Sequence, residues 1–192
     1  MVDEMDREDR VEPALADPAA EHGPWLEAVY REHAGMVLQT AYRVTGRIDD
    51  AEDVLQTIFM RLAARTARPD FTTGCGAYLR RAASNAALDI VQSRYARSGV
   101  SLEASGTAWQ RDPAPEPESR HLGRELEEQL RRALAELSRR SAEIFILRYF
   151  EGLDNTAIAS CLGTSPGTVA VTLHRAKARL REALEPYLGG LQ

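Results

Sequence analysis

The apolar residues of this 192-residue chain recur at helical spacing on both sides of one segment rich in proline and glycine. In the first half, Val37, Leu38, Ala41 and Tyr42 follow the period of a single helix face. No alternating, strand-like pattern of useful length occurs. We therefore predict an all-α fold, with three or four helices in the first half and further helices in the second.

Composition divides the chain into parts. Residues 98–121 contain Gly99, Gly106, Pro113, Pro115 and Pro117 with few large apolar groups, which is typical of a flexible linker between two domains. Residues 1–24 combine acids, proline and alanine, and too little apolar surface for ordering. The predicted organisation is a disordered acidic tail at 1–24, a small helical domain at 25–97, a linker at 98–121, a second small helical domain at 122–186 and a short tail at 187–192.

Within this organisation, Pro24 is predicted to mark the start of structure. The linker holds Trp109, which could dock on a partner or pack against either domain. Both readings stay open.

The net charge of −5 is unevenly distributed along the chain. Residues 1–24 hold eight acids and two arginines, which leaves 21 acids against 22 bases in the remainder. Bases predominate at 61–97 and again at 166–181, and two separated basic surfaces are typical of a multi-point contact with nucleic acid. Taken alone, either cluster is equally compatible with the solvated face of a helix.

The remaining composition argues against several classes of protein. The only cysteines, Cys75 and Cys161, lack the spacing of a disulfide framework or a zinc site, so neither a metal nor a cofactor is expected. Cys161 falls at an apolar helical position and is predicted to be a small core residue. The four histidines are scattered and no phosphate-binding glycine loop follows a strand, so we do not expect an enzyme. The N-terminus is acidic and no apolar run could span a bilayer, so we expect a cytoplasmic protein without membrane insertion.

A pair of capped helices is predicted between residues 154 and 186. Asp154 suits the N-cap of the first helix and Gly163 its left-handed end, while Ser165 caps a second helix with Pro166 at its first position. Pro186 is predicted to end that second helix. Two helices around a short glycine-containing turn form a helix-turn-helix, although an ordinary surface helix of a bundle would share part of this pattern.

Two motifs in this order resemble a known family. The sequence DDAEDVLQTIFMRL at 49–62, and the second-domain segments EGL at 151–153, GTV at 167–169 and LHRAK at 173–177, are similar to the extracytoplasmic-function (ECF) group of bacterial RNA polymerase sigma factors. The resemblance implies that 25–97 is sigma region two, which binds core polymerase and the minus-ten element. It likewise implies that 122–186 is sigma region four, which binds the minus-thirty-five element.

The resemblance also implies roles for individual residues. The core polymerase-binding set is Asp50, Asp53, Leu55, Gln56 and Phe59. A different reading of the same stretch is that Asp49 or Asp50 merely caps the helix. The minus-ten set is Arg80, Arg81, Asn85 and Arg94, with Asn85 helping to form a pocket for a flipped base and the arginines on phosphates.

The upstream DNA-binding set lies on the second helix of the helix-turn-helix. It comprises Thr168, Ala170, Val171, Thr172, His174, Arg175, Lys177 and Arg179. Relatives commonly have arginine and serine where this chain has Ala170, Val171 and Thr172, so we expect an atypical upstream element read partly through thymine methyl groups and DNA shape. Thr57, where relatives often have glutamate, is a milder departure.

The function implied by the resemblance is promoter-specific initiation of transcription without covalent chemistry. Its expected partners are core RNA polymerase, promoter DNA and an anti-sigma factor. The alternative is a sigma-like DNA-binding regulator or decoy that does not initiate. The sequence identifies neither the promoter, the inducing signal nor the anti-sigma partner, and it leaves open whether the acidic tail inhibits the basic surfaces.

Overall fold

A computed structural model of the chain describes residues 18–65, 71, 74–97 and 117–188, and every regular element in these ranges is an α-helix. The helices are α1 (Pro18–Thr45), α2 (Ile48–Ala63), α3 (Cys75–Arg97), α4 (Pro117–Glu136), α5 (Arg139–Tyr149), α6 (Asn155–Leu162) and α7 (Pro166–Leu188). The predicted all-α class is confirmed. Residues 46 and 47 separate α1 from α2, and α3 begins at Cys75.

Three helix bounds differ from the sequence prediction. The first helix begins at Pro18 and contains Pro24. The alanines before Pro24 favour helix, although the proline itself removes one backbone hydrogen bond. Helix α4 begins at Pro117, inside the predicted linker, where proline suits the first position of a helix. Helix α7 continues through Pro186 to Leu188, since a proline so close to the end costs few further hydrogen bonds.

Several predictions fall outside the described residues. They concern the acidic tail at 1–17, the linker at 98–116 with Trp109, and the last residues at 189–192.

Helices α1, α2 and α3 pack together around an apolar core in the first domain. Val37, Val54, Ile58, Leu79 and Leu88 are all buried there, at the positions that helical spacing assigns to the inner faces. The turn between α1 and α2 depends on Gly46, which has a φ of +70° and donates its N–H to the Tyr42 carbonyl at 2.8 Å. A Cβ at Gly46 would also lie 2.2 Å from Cζ of Arg131 in α4, so this turn is where α4 approaches the first domain.

The two domains share one apolar core. The cluster that fills the α1–α3 bundle continues without a break into Leu134 and Leu137 of α4, Ile146 of α5 and Leu180 of α7. A second, smaller cluster, which includes Ile158, holds α6 and the start of α7 against α5. The sequence predicted two modules joined by a tether, and the structure adds an extensive contact between them, in which α3 packs against α4, α5 and α6.

Candidate nucleic-acid and polymerase interfaces

The helix-turn-helix forms through local hydrogen bonds at each helix end. The Asp154 carboxylate accepts the Ala157 N–H at 2.7 Å, and the Ser165 hydroxyl accepts the Thr168 N–H at 3.1 Å. Gly163 ends α6 with a φ of +60°, as the left-handed end of a helix requires. The two helices lie at 106° to each other, within the range of helix-turn-helix motifs. All three predicted end residues are confirmed.

The inner face of α7 fixes which side chains point outward. Val169, Leu173, Ala176 and Leu180 are buried, and they leave the opposite face of the helix to solvent. That exposed face carries seven of the eight residues of the predicted upstream set, namely Thr168, Ala170, Val171, His174, Arg175, Lys177 and Arg179. Thr172 is half-buried and donates its hydroxyl to the Thr168 carbonyl at 2.8 Å, so its oxygen can only accept from another group.

The charged groups of this α7 face are accessible. Within the described part of the chain, Arg175 and Arg179 form no ion pair, and the Lys177 ammonium lies 5.9 Å from the ring centroid of Tyr149. Val171 is 52% exposed and is the large apolar side chain of this face. The face therefore combines free positive charge with a small apolar patch.

A second surface is an open groove between α1 and α2. Its lining includes Tyr30, Leu55, Gln56, Phe59 and Met60. The Tyr30 and Phe59 rings meet edge to face with centroids 4.8 Å apart, and Met60 is 63% exposed. A patch of exposed large apolar groups with a polar rim is typical of a protein-binding site.

Three residues of the predicted core polymerase set, Leu55, Gln56 and Phe59, line this groove. Asp53 is exposed on the same helix. The sequence analysis gave neither Tyr30 nor Met60 a role in binding. Their exposure is a tertiary property that the apolar pattern does not reveal.

Asp50 and Arg94 were predicted on different surfaces, and the structure pairs them. The Asp50 carboxylate accepts from the Arg94 guanidinium, which also donates to the Thr45 carbonyl at 3.3 Å. The Arg94 side chain is only 17% exposed. This ion pair ties the end of α3 to the start of α2, so both groups have a role inside the first domain.

Neither Asp49 nor Asp50 is the N-cap of α2, contrary to the alternative reading of this stretch. Asp49 and Asp50 lie in its first turn, whereas the N-cap residue is Arg47, with no side-chain hydrogen bond to the helix. The two carboxylates therefore act on the positive end of the helix and not as caps.

The other three minus-ten residues, Arg80, Arg81 and Asn85, lie on α3 and face the second domain. Arg81 Nε and Asn85 Nδ2 both donate to Oε1 of Glu143 in α5, each at 3.0 Å. Arg140 donates to the other oxygen of Glu143 at 3.3 Å. The Glu143 side chain is 6% exposed, so this carboxylate is buried among three donors.

A second buried carboxylate, Glu151, lies beside Arg80. Arg80 Nε is 3.5 Å from Glu151 Oε2, and Arg43 from α1 is 3.7 Å from Glu151 Oε1. Arg43 also donates to the Phe150 carbonyl at 2.7 Å. Sequence reasoning assigned no role to Glu143, and none to the Glu151 side chain. No local spacing signals a partner more than fifty residues away.

The rim of this contact holds another ion pair between the domains. Arg139 donates to Asp89 through both terminal nitrogens, and the hydrogen bond raises the pKa of the Arg139 guanidinium. Nearby, Tyr95 of α3 donates to Glu128 of α4, and burial and this hydrogen bond raise the pKa of its phenol. Polar contacts thus surround the shared apolar core.

Neither cysteine lies in the interior of a domain. Cys161 is half-buried where α6 meets α3, with Sγ 3.9 Å from the Ala77 carbonyl, so the predicted core position is wrong. Its apolar spacing is real, but the surface it faces belongs to the other domain. Burial raises the pKa of the Cys161 thiol, and burial and the charge of Glu32 raise the pKa of Cys75.

In residues 18–65, 71, 74–97 and 117–188, no group of three or more histidine, cysteine or acidic side chains could hold a metal ion. No single helix of these ranges is long and apolar enough to cross a bilayer, and the pair α6 and α7 reaches that length and composition only across its 106° bend.

Comparison with known proteins finds matches over both halves of the chain. The family Sigma-70 region 2 matches residues 29–97, and the family Sigma-70, region 4 matches residues 127–180. The ECF RNA polymerase sigma factor SigL of Mycobacterium tuberculosis is 33% identical over 178 residues, which cover 89% of this chain and 95% of SigL. SigE of Mycolicibacterium smegmatis, also an ECF RNA polymerase sigma factor, is 33% identical over 89% of this chain, which spans 65% of SigE.

Among solved structures, the sigma factor RpoE from Bartonella quintana, crystallised with the anti-sigma factor NepR, is similar in fold. The TM-score is 0.52 at 21% identity, and the match covers 86% of this chain and 97% of RpoE.

Proposed function

Because the chain belongs to the ECF group of bacterial RNA polymerase sigma factors, we propose that it binds core RNA polymerase and directs initiation at specific promoters. The observation that carries this proposal is the presence of two accessible and chemically different surfaces on one chain. One is the apolar groove of α1 and α2, and the other is the basic outer face of α7. A protein that joins polymerase to duplex DNA needs both.

The groove is the proposed docking site for core polymerase. Tyr30 and Met60 supply the exposed apolar area, beside the partly buried Leu55, whereas Phe59 is only 8% exposed and belongs mainly to the core. Gln56 and the exposed Asp53 supply polar and charged groups at the edge of the groove. Aromatic and methionine side chains surrounded by polar residues have the composition of a protein interface. Asp50 would act here indirectly, because its carboxylate is engaged by Arg94.

The outer face of α7 is the proposed reader of the upstream element. A helix of this kind enters the major groove with its N-terminal residues nearest the base edges. Ala170 and Val171 offer methyl groups to thymine, and Arg175, Lys177 and Arg179 supply phosphate contacts. We propose that selection of bound duplexes returns a site different from the common family element.

The minus-ten element is the proposed ligand of α3. Asn85 has an amide for the edge of a flipped base, and Arg80 and Arg81 have guanidinium groups for phosphates. We further propose an anti-sigma factor as a regulatory partner, since such a protein accompanies RpoE in its crystal. The proposed role involves no covalent chemistry by this chain.

The test is run-off transcription with purified bacterial core polymerase. The template is a promoter found by genome-wide mapping of the chain together with polymerase. We expect transcripts of defined length only when the chain is present. A chain that binds the promoter without producing transcripts would instead be a sigma-like regulator or decoy.

A further inference from the structure

Tyr149 is an exposed aromatic side chain that belongs to neither of the two proposed binding surfaces. The large apolar side chains that are exposed in the described residues are Tyr30, Met60, Tyr149, Val171 and Tyr187. Tyr30 and Met60 lie in the groove of α1 and α2, Val171 lies on the outer face of α7, and Tyr187 is close to the end of that helix. Tyr149, the last residue of α5, is 48% exposed and needs a separate explanation.

Packing against other aromatic residues holds the Tyr149 ring in place. Phe145, one helical turn earlier, lies against it with ring centroids 4.7 Å apart. The Phe145 ring also meets the Phe150 ring at 6.3 Å, and both phenylalanines pack against the main apolar core. Aromatic pairs at such distances attract each other. The Tyr149 ring is therefore fixed by groups anchored in the core, while about half of the residue is open to solvent.

The ring lies beside the ammonium group of Lys177, the only lysine of the chain. Nζ is 5.9 Å from the ring centroid, within the range of a cation–π interaction. This interaction restricts a long side chain with a flexible four-carbon stem, and it leaves the three N–H donors of the ammonium available for conventional hydrogen bonds. The positive charge is thus held in one place while it can still bind an anion.

Helical geometry places Lys177 at the side of the outer face of α7. At about 100° for each residue, Lys177 lies roughly 120° around the helix from Val171, on the side where α5 ends. A helix in the major groove, which is about 12 Å wide, has base edges in front of it and a sugar-phosphate backbone on each side. A cation on the flank of α7 is therefore directed at backbone phosphates and not at base edges.

We propose that Tyr149 is a further residue of the upstream DNA site, where its ring positions the Lys177 ammonium on a backbone phosphate. The proposal rests on the function proposed above. DNA is favoured as the partner because the pair of Tyr149 and Lys177 continues the basic outer face of α7. Tyr149 acts through Lys177, so it is a positioning residue, and its ring matters while its hydroxyl does not.

The test measures the affinity of the full chain for the upstream duplex of a mapped promoter by fluorescence anisotropy. Tyr149→Leu removes the ring, Tyr149→Phe keeps the ring without the hydroxyl, and each is made alone and together with Lys177→Ala. The matched control is Tyr187→Leu, which makes the same change at the exposed tyrosine near the end of α7. Thermal unfolding of every variant shows whether it is folded.

We expect Tyr149→Leu to raise the Kd about two- to fivefold at low salt, which is the size of an exposed cation–π interaction. Tyr149→Phe and Tyr187→Leu should keep the original Kd. In the Lys177→Ala background, Tyr149→Leu should have no further effect, because the ring then has no cation to position. A purely structural role of the ring would instead weaken binding equally in both backgrounds.

Three results would each overturn the proposal: equal losses for Tyr149→Leu with and without Lys177, a Tyr149→Phe variant as weak as Tyr149→Leu, or an unchanged Kd for Tyr149→Leu. An unchanged duplex affinity combined with weaker run-off transcription would overturn it as well, and would indicate a protein partner at this surface. All of these results leave initiation by the unmodified chain intact, whereas a lack of run-off transcripts from the unmodified chain would count against the proposed function.

Discussion

Asn85 of α3 donates its side-chain amide to the Glu143 carboxylate of α5 across the contact between the domains, with 3.0 Å between nitrogen and oxygen. The same amide is the group proposed to recognise a flipped base of the minus-ten element. In this geometry Glu143 occupies one of the two N–H donors of the amide, and Oδ1 of Asn85 is buried, so a base edge cannot pair with both atoms of the amide. Recognition of melted DNA by α3 is therefore coupled to the position of the second domain.

The rate at which the Cys161 thiol is alkylated should depend on how closely the second domain packs against α3. Burial between α6 and α3 raises its pKa, so a smaller fraction is thiolate at pH 8 and alkylation is slow. In the variant Glu143→Gln/Glu151→Gln we expect faster alkylation by iodoacetamide and a pH midpoint displaced downward towards that of an ordinary thiol. Mass spectrometry of the peptides over a pH series measures both. Cys75 is the internal control, and an equal acceleration at Cys75 would indicate general unfolding.

Met60→Ser should weaken binding to core polymerase. The side chain is exposed in the groove of α1 and α2, so its loss removes contact area without disturbing the core. We expect a loss of about 1 kcal/mol or more of binding free energy, which is about fivefold in Kd. Titration calorimetry with core polymerase provides the measurement. Gln39→Ser, at an exposed position of α1, is the control, and equal affinities for the two variants would contradict the assignment of the groove.

Asp50→Asn should destabilise the first domain. The Arg94 guanidinium, largely buried, would keep its hydrogen bond to the Thr45 carbonyl but lose the negative charge of Asp50, at a cost of about 1–3 kcal/mol in the free energy of unfolding. Asp49→Asn is the matched control, because Asp49 lies in the same helical turn, is exposed and forms no ion pair among the described residues. It should lose only the interaction with the helix dipole, about 0.3–1 kcal/mol. Urea unfolding distinguishes the two, and equal losses would mean that the ion pair contributes little.

Arg175→Ala should weaken binding to upstream duplex DNA in a salt-dependent way. If the guanidinium neutralises one phosphate, the slope of log K against log salt becomes shallower by about 0.9. Filter binding or anisotropy from low to moderate salt measures the slope. Arg124→Ala on α4 removes the same charge from another exposed position and should leave the slope unchanged. Identical slopes for the two variants would remove Arg175 from the phosphate contacts.

Gly46→Ala and Gly35→Ala should have opposite effects on stability. At Gly46 the φ of +70° costs a residue with a side chain about 1–2 kcal/mol, and the new methyl group would displace the Arg131 guanidinium. Gly35 lies within α1 with open space around it, so alanine there should stabilise the helix by about 0.5–1 kcal/mol. Thermal unfolding of both variants measures the difference. A neutral result at Gly46 would show that the turn tolerates a side chain.

The sequence alone determined the parts of this protein that depend on local interactions. Asp154, Gly163 and Ser165 were predicted as helix ends because each acts on backbone within a few residues of itself, and the structure has all three in those roles. The inner face of α7 followed in the same way from helical spacing. In a regular helix, the spacing between residues sets the face on which each side chain lies. The outward position of Arg175 could therefore also be inferred.

Only the tertiary structure decided which distant groups meet. Asn85 and Glu143 are 58 residues apart, and Asp50 and Arg94 are 44 apart, so no local spacing links them. Both pairs arise because packing of several helices brings their outer faces together, and that packing depends on the summed shape of the core and not on any short pattern. For this reason the sequence predicted correctly that both domains are helical. The packing of the second domain over α3 emerged only from the assembled fold.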